Sequence, residues 1–154
     1  MAKAKYGEGD WFAVPLRSGG YAVGLVARAN PDGVLVGYFF GPRCEELPSL
    51  KGVQGLTPDG AVLVGKFGHL GLRNGKWPVL GRLAGWNRTA WPMPIFVRYE
   101  ELTGRSFKVI YDDNDPNRLL REERVDPGVA EQGPTDGLMG AGFVEKLLTG
   151  ALSK

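Results

Sequence analysis

Glycine and proline punctuate this chain so often that no long regular element fits before its last quarter. The 24 glycines and 11 prolines are spread between short apolar runs and not gathered in one tract. They therefore read as turns of a folded chain and not as disorder. Between them stand runs of five to nine residues rich in β-branched and aromatic side chains, the composition of strands. These are 11–16, 21–29, 34–40, 61–67, 77–83, 95–99, 107–111 and 119–125. Gly19-Gly20 supplies the positive φ of a tight hairpin, and Asn30-Pro31-Asp32-Gly33 is a turn in which Pro presets φ. VLVGYFF (34–40) is too apolar to have a wet face, so cover on both sides is expected. In FKVIY (107–111), Phe107, Val109 and Tyr111 share one face. The stretch 41–57 reads as a loop crossing between strands.

Only the end has helical period. Thr135 or Asp136 is a suitable cap for a helix over about 137–149, with Met139, Phe143 and Leu147 as its stripe. Val144 and Leu148 widen that stripe, and Glu145 and Lys146 face water. Gly140 and Gly142 weaken such a helix, which suggests close packing against a sheet. The expected fold is mainly β: a strongly bent antiparallel sheet or barrel with one C-terminal α-helix, as a single domain over 1–154.

Composition removes several function classes. Nineteen basic against 17 acidic residues give +2, too little field to draw in nucleic acid or an anionic membrane. No run approaches the ~20 apolar residues of a membrane span. The start, MAKAKYGEGDW, has no apolar stretch after its lysines, so no signal peptide is expected. The single Cys44 fits a reducing compartment, and a cytoplasmic location is expected.

Chemical motifs fail in instructive ways. Gly60 to Lys66 spells a phosphate loop until Phe67 stands where Ser or Thr must bind magnesium, and its middle reads as strand. Asp112, Asn114 and Glu123 fall at calcium-loop positions, but Pro116 and Asn117 replace a ligand and the turn glycine. Asp112, Asp113 and Asp115 then read as an acidic turn at a strand end, with a surface contact to a basic partner left open. His69 and Cys44 are each the sole residue of their type. They make neither an ordinary zinc centre nor a visible nucleophile–base pair, and His69 reads as a solvated loop residue. No catalytic residue, metal or cofactor is expected.

One stretch stands apart. GWNRTAWPMP (85–94) crowds Trp86, Arg88, Trp91 and Met93 beside two prolines. Its proline-stiffened backbone lacks two amide donors, so it belongs at a sheet edge or across a barrel mouth. Trp and Arg are the side chains most enriched at interface anchors, and Met adapts to uneven partners. The alternative is that Trp86 and Trp91 plug the core, leaving Arg88 as the exposed member.

GDWFAVPLRSGGYAVGLVAR (9–28), GYFFGPR (37–43), KFGHLGLRNGKWPVLGR (66–82), GWNRTAWPMP (85–94) and YDDNDP (111–116) together resemble the immunity protein 26 family. The resemblance implies an all-β cytoplasmic protein that protects a bacterium by binding and neutralising a cognate polymorphic toxin. The family name also carries an association with a HocA-type phosphotriesterase, which would make the chain an organophosphate hydrolase. A third reading is a barrel that binds a small molecule or peptide. Tight toxin binding needs anchors and a polar rim but no reactive constellation, and that requirement suits this sequence best.

Overall fold

The computed structural model describes residues 5–152, so part of the N-terminal segment behind the signal-peptide reading lies outside the described residues. Three strands, β1 (Asp10–Pro15), β2 (Tyr21–Ala29) and β3 (Val34–Cys44), form an antiparallel meander. Gly19 and Gly20, with φ of 98° and 78°, make the first turn, and Gly33, with φ of 82°, the second. Next come β4 (Leu63–Gly68) and β5 (Val79–Arg82), with the one-turn helices α1 (Leu50–Val53) and α2 (Leu70–Arg73) before and after β4. A second group, β6 (Phe96–Glu100), β7 (Arg105–Asp112) and β8 (Asp115–Val125), is followed by the one-turn helix α3 (Pro127–Ala130). The chain ends in a two-residue strand β9 (Leu138–Met139) and α4 (Ala141–Leu152).

The strands make two sheets, one ordered β5-β1-β2-β3-β4-β9 and one ordered β6-β7-β8. Among these strands every pairing is antiparallel except β4 with β9, and Val97 of β6 also bridges Thr135 in parallel. The larger sheet does not close into a barrel; its ends are β5 and β9.

Both faces of the large sheet are covered, which is why its middle strands are apolar throughout. Phe12, Val14, Leu35, Phe39 and Phe67 pack on one face with Leu72 of α2, Trp77, and Val144 and Leu148 of α4. Phe12 and Trp77 stack with ring centroids 5.7 Å apart. On the other face lie Trp11, Leu25, Val36, Tyr38 and Phe40, beneath Val53, Trp91, and Phe96 and Val109 of the small sheet. Each such fully buried side chain stabilises the fold by about 1.5–3 kcal/mol relative to exposure. Glycines on the strands make the close approaches possible. A Cβ at Gly24 would stand 2.5 Å from the Phe12 ring, and one at Gly41 would stand 2.5 Å from Leu152.

Several local expectations need correction. The stretch 41–57 is not all loop: β3 runs on to Cys44 and α1 occupies Leu50–Val53. The terminal helix starts at Ala141, not near 137, because Leu138 and Met139 extend along β4 and Asp136 is held elsewhere. Its buried stripe is Val144 and Leu148, while Phe143 and Leu147 face outward. Glu145 does not face water; its Oε2 accepts the indole N–H of buried Trp77 at 2.8 Å. A Cβ at Gly140 would meet nothing within 4 Å and one at Gly142 only Arg17, so the close helix–sheet contact is at Gly41 of β3 against Leu152 instead.

Candidate functional site: a shared carboxylate between two arginines

The site begins with an irregularity in β2. Val26 pairs with Gly37, but Arg28 pairs with Val36, so Ala27 is an extra residue in the ladder. A bulge of this kind re-aims the side chains after it. Arg28 consequently lies on the same face as Val36, beneath the small sheet, where it is only 3% exposed. A buried guanidinium must have its donors satisfied. Its Nη1 donates to the carbonyls of Ala27 (2.6 Å) and Trp91 (2.9 Å). Nε donates to the Asp113 carbonyl at 3.0 Å, and Nη2 reaches Asp113 Oδ1 at 2.9 Å.

Asp113 stands on the hairpin between β7 and β8. The turn is built by its own acidic residues: Asp112 Oδ1 accepts from the Asn114 amide at 2.8 Å, and Asp115 Oδ1 from the Asn117 amide at 2.9 Å. Asn30 Nδ2 also donates to Asp115 at 3.0 Å. That side-chain bond, and then the Asn117 amide, hold the Asp115 carboxyl below its usual range.

Asp113 offers its second oxygen to the other stretch of interest. Arg88 Nη1 reaches Asp113 Oδ2 at 2.9 Å, while its Nη2 donates to the Asp113 carbonyl at 2.7 Å and to Asn114 Oδ1 at 3.0 Å. Arg88 Nε binds Glu8 Oε1 at 2.7 Å. The Glu8 hydrogen bond is the chief reason the Arg88 guanidinium holds its proton more tightly than usual. Its segment is a single 3-10 turn over Arg88–Ala90, and the Asn87 side chain caps it by accepting from the Thr89 amide at 3.1 Å. The aromatic neighbours divide the work. Trp91 is buried edge-on against Trp11, Tyr38 and Phe40, with centroids 5.2–5.9 Å away. Trp86 is half-buried over Gly9, where a Cβ would come within 2.9 Å of its ring. Met93 is half-buried on the same core, and Tyr38 donates its hydroxyl to the Pro92 carbonyl at 2.5 Å.

So the structure brings together the two stretches singled out in the sequence. Arg88, Trp86, Trp91 and Met93 come from one, Asp112, Asp113 and Asp115 from the other, and Arg88 with Asp113 is the seam. Sequence reasoning missed Arg28 and Glu8. Arg28 sat at the end of an apolar strand, where only the bulge turns it inward.

His69 and Cys44 do not meet. Gly68, next to His69, pairs with Val34, so they lie at opposite ends of β3. Ten residues of strand at about 3.3 Å each separate them by about 30 Å. Nor is His69 simply solvated: its Nδ1 is hydrogen-bonded to the Tyr6 hydroxyl and its ring lies against Gly33. Among the described residues no three His, Cys, Asp or Glu side chains are grouped to hold a metal ion. No helix there is long and apolar enough to cross a membrane.

Fold and site together define a mainly-β domain of two packed sheets carrying a polar surface that is ordered by its own ion pairs. The family model of immunity protein 26 matches residues 7–108, and the chain belongs to that family. The matched part contains Glu8, Arg28 and Arg88, while Asp113 lies just beyond it. Membership supports an immunity role and, in general terms, a toxin as partner. No curated protein and no solved structure matches the chain.

Proposed function

We propose that this chain binds and neutralises one cognate toxin of a bacterial polymorphic toxin system, in the cytoplasm, through the surface where 85–94 meets 111–116. The observation that carries the reading is the convergence of these stretches on Asp113, gripped by Arg28 and Arg88 at 2.9 Å each. Side chains already fixed by mutual hydrogen bonds lose little entropy when a partner docks. Glu8, Asp112, Asp113 and Asp115 stand against Arg28, Arg88 and Arg118, and Arg28 is buried. The 111–116 hairpin itself carries Asp112, Asp113 and Asp115 and no basic residue, so the complement we infer there is a basic group on the toxin.

The test is to identify a secreted toxin encoded beside this reading frame and to measure its binding by calorimetry. Arg88→Ala should weaken binding about thirtyfold, or about 2 kcal/mol, and Asp112→Lys should slow association and flatten its salt dependence. Wild-type affinity in both variants would move the binding face elsewhere. Absence of any complex with that toxin would remove the neutralisation reading itself.

A further inference from the structure

We propose that the outer edge of β4 is a second docking site, which takes an extended, uncharged peptide segment of a partner protein as an added strand. This goes beyond the toxin reading and does not use the arginine–aspartate surface. The outer side of β4 is paired by β9 at Lys66 and Phe67 only. Leu63 to Gly65 therefore have no strand neighbour on that side among the described residues. An edge of this kind presents unpaired N–H and C=O groups that template another strand.

Leu63 and Val64 of this edge line a cleft of about 710 Å³, between Ala61–Val64 and the segment from Gln132 into α4. Its rim is apolar and open to solvent, with Val62, Leu138, Phe143 and Leu147 46%, 60%, 53% and 38% exposed. Charge decides what fits. Among the described residues Asp136 is the sole charged one lining the cleft. Its Oδ1 accepts the Tyr111 hydroxyl at 2.7 Å and lies 3.5 Å from buried Lys66 Nζ, so its charge is already balanced. A charged side chain entering the cleft would lose hydration without gaining a partner. A second copy of this chain fits poorly, because its long exposed edge strand, β8, carries Arg118, Arg121, Glu122, Glu123 and Arg124, for which the cleft has no partners. A single slender strand, apolar at alternate positions, fits this constraint.

The probe is a linear twelve-residue peptide selected on the intact protein from a random phage-displayed library. The selected peptide should alternate apolar residues and leave central positions uncharged. Its amide shift changes should centre on 61–65 and 132–139. Two versions N-methylated on alternate residues separate strand addition from side-chain docking, since only one edge of the peptide pairs with β4. One version should bind like the parent and the other at least tenfold more weakly. Phe143→Asp and Leu147→Asp, both at exposed positions, should each weaken binding at least tenfold without moving the thermal melt. Equal behaviour of the two methylated peptides would overturn the proposal. So would wild-type affinity in both variants, shift changes centred elsewhere, or a concentration-dependent dimer perturbing the same residues. A selection yielding nothing tighter than about 0.1 mM would overturn it equally.

Discussion

Arg28 and Arg88 hold opposite oxygens of one carboxylate, that of Asp113, each at 2.9 Å. Arg28 comes from the middle of the large sheet and Arg88 from the stretch that covers it. The aspartate belongs to the small sheet, so a single side chain ties three parts of the molecule together.

The three members should differ in their effect on stability. Arg28→Ala removes the buried donor that the Trp91 and Ala27 carbonyls share and should cost about 3 kcal/mol. Asp113 is more than half exposed, so Asp113→Ala should cost less, about 2 kcal/mol. Arg88→Ala should stay within about 1 kcal/mol. Urea melts of the three variants check the order, and an Arg28→Ala midpoint equal to wild type would contradict it.

Trp91 should behave as core. It is 8% exposed and touches three aromatic rings, so Trp91→Ala should destabilise by about 3–5 kcal/mol. Trp91→Phe should recover much of that loss. A Trp91→Ala protein that melts like wild type while losing its toxin would reverse the assignment.

Glu145→Ala should cost about 1–3 kcal/mol, because the indole N–H of fully buried Trp77 loses its acceptor. Glu145→Gln keeps an acceptor and should recover most of it. Thermal melts distinguish this from a solvent-facing glutamate, for which both changes would be silent.

Alkaline pH should unfold the protein partly through Tyr38. Burial pushes its hydroxyl up to about 12, with Arg28 opposing the shift. In the unfolded chain the group titrates near 10. The folded state thus binds the proton more tightly, so the contribution is fully present below about 10 and is lost as pH rises toward about 12. Tyr38→Phe should lower stability at neutral pH by about 1 kcal/mol through its lost bond to Pro92, and should make the decline between those pH values shallower. Identical slopes in denaturant titrations of the two proteins would rule Tyr38 out.

Metal removal should do nothing. With no cluster of ligands among the described residues, chelation should leave the melting temperature unchanged. Elemental analysis finding one tightly held zinc or calcium per chain would contradict this.

The strands were legible because glycine and proline cut the sequence where the ladder turns, and because both faces of β2 and β3 are buried. YAVGLVARA is β2 from end to end. The helix was legible in type but not in orientation. Met139, Phe143 and Leu147 form one apolar stripe and Val144 and Leu148 another, and periodicity alone does not say which meets the sheet. The site was half legible. Tryptophan and proline marked one stretch and aspartate the other, but their meeting depends on Arg28, which a one-residue bulge turns inward. No residue pattern in the strand announces that bulge.

The strand buried on both faces has a consequence for how this protein fails. VLVGYFF, 34–40, is fully buried, uncharged and free of proline, the composition of a segment that stacks into cross-β aggregates when released. Asn30-Pro31-Asp32 on one side and Pro42-Arg43 on the other act as gatekeepers at its ends, but its interior has none. Any change that frees β4 from β3 unmasks this segment. Loss of the protein in a cell should then proceed by irreversible aggregation, governed by the rate of opening and not by the equilibrium between folded and unfolded chains.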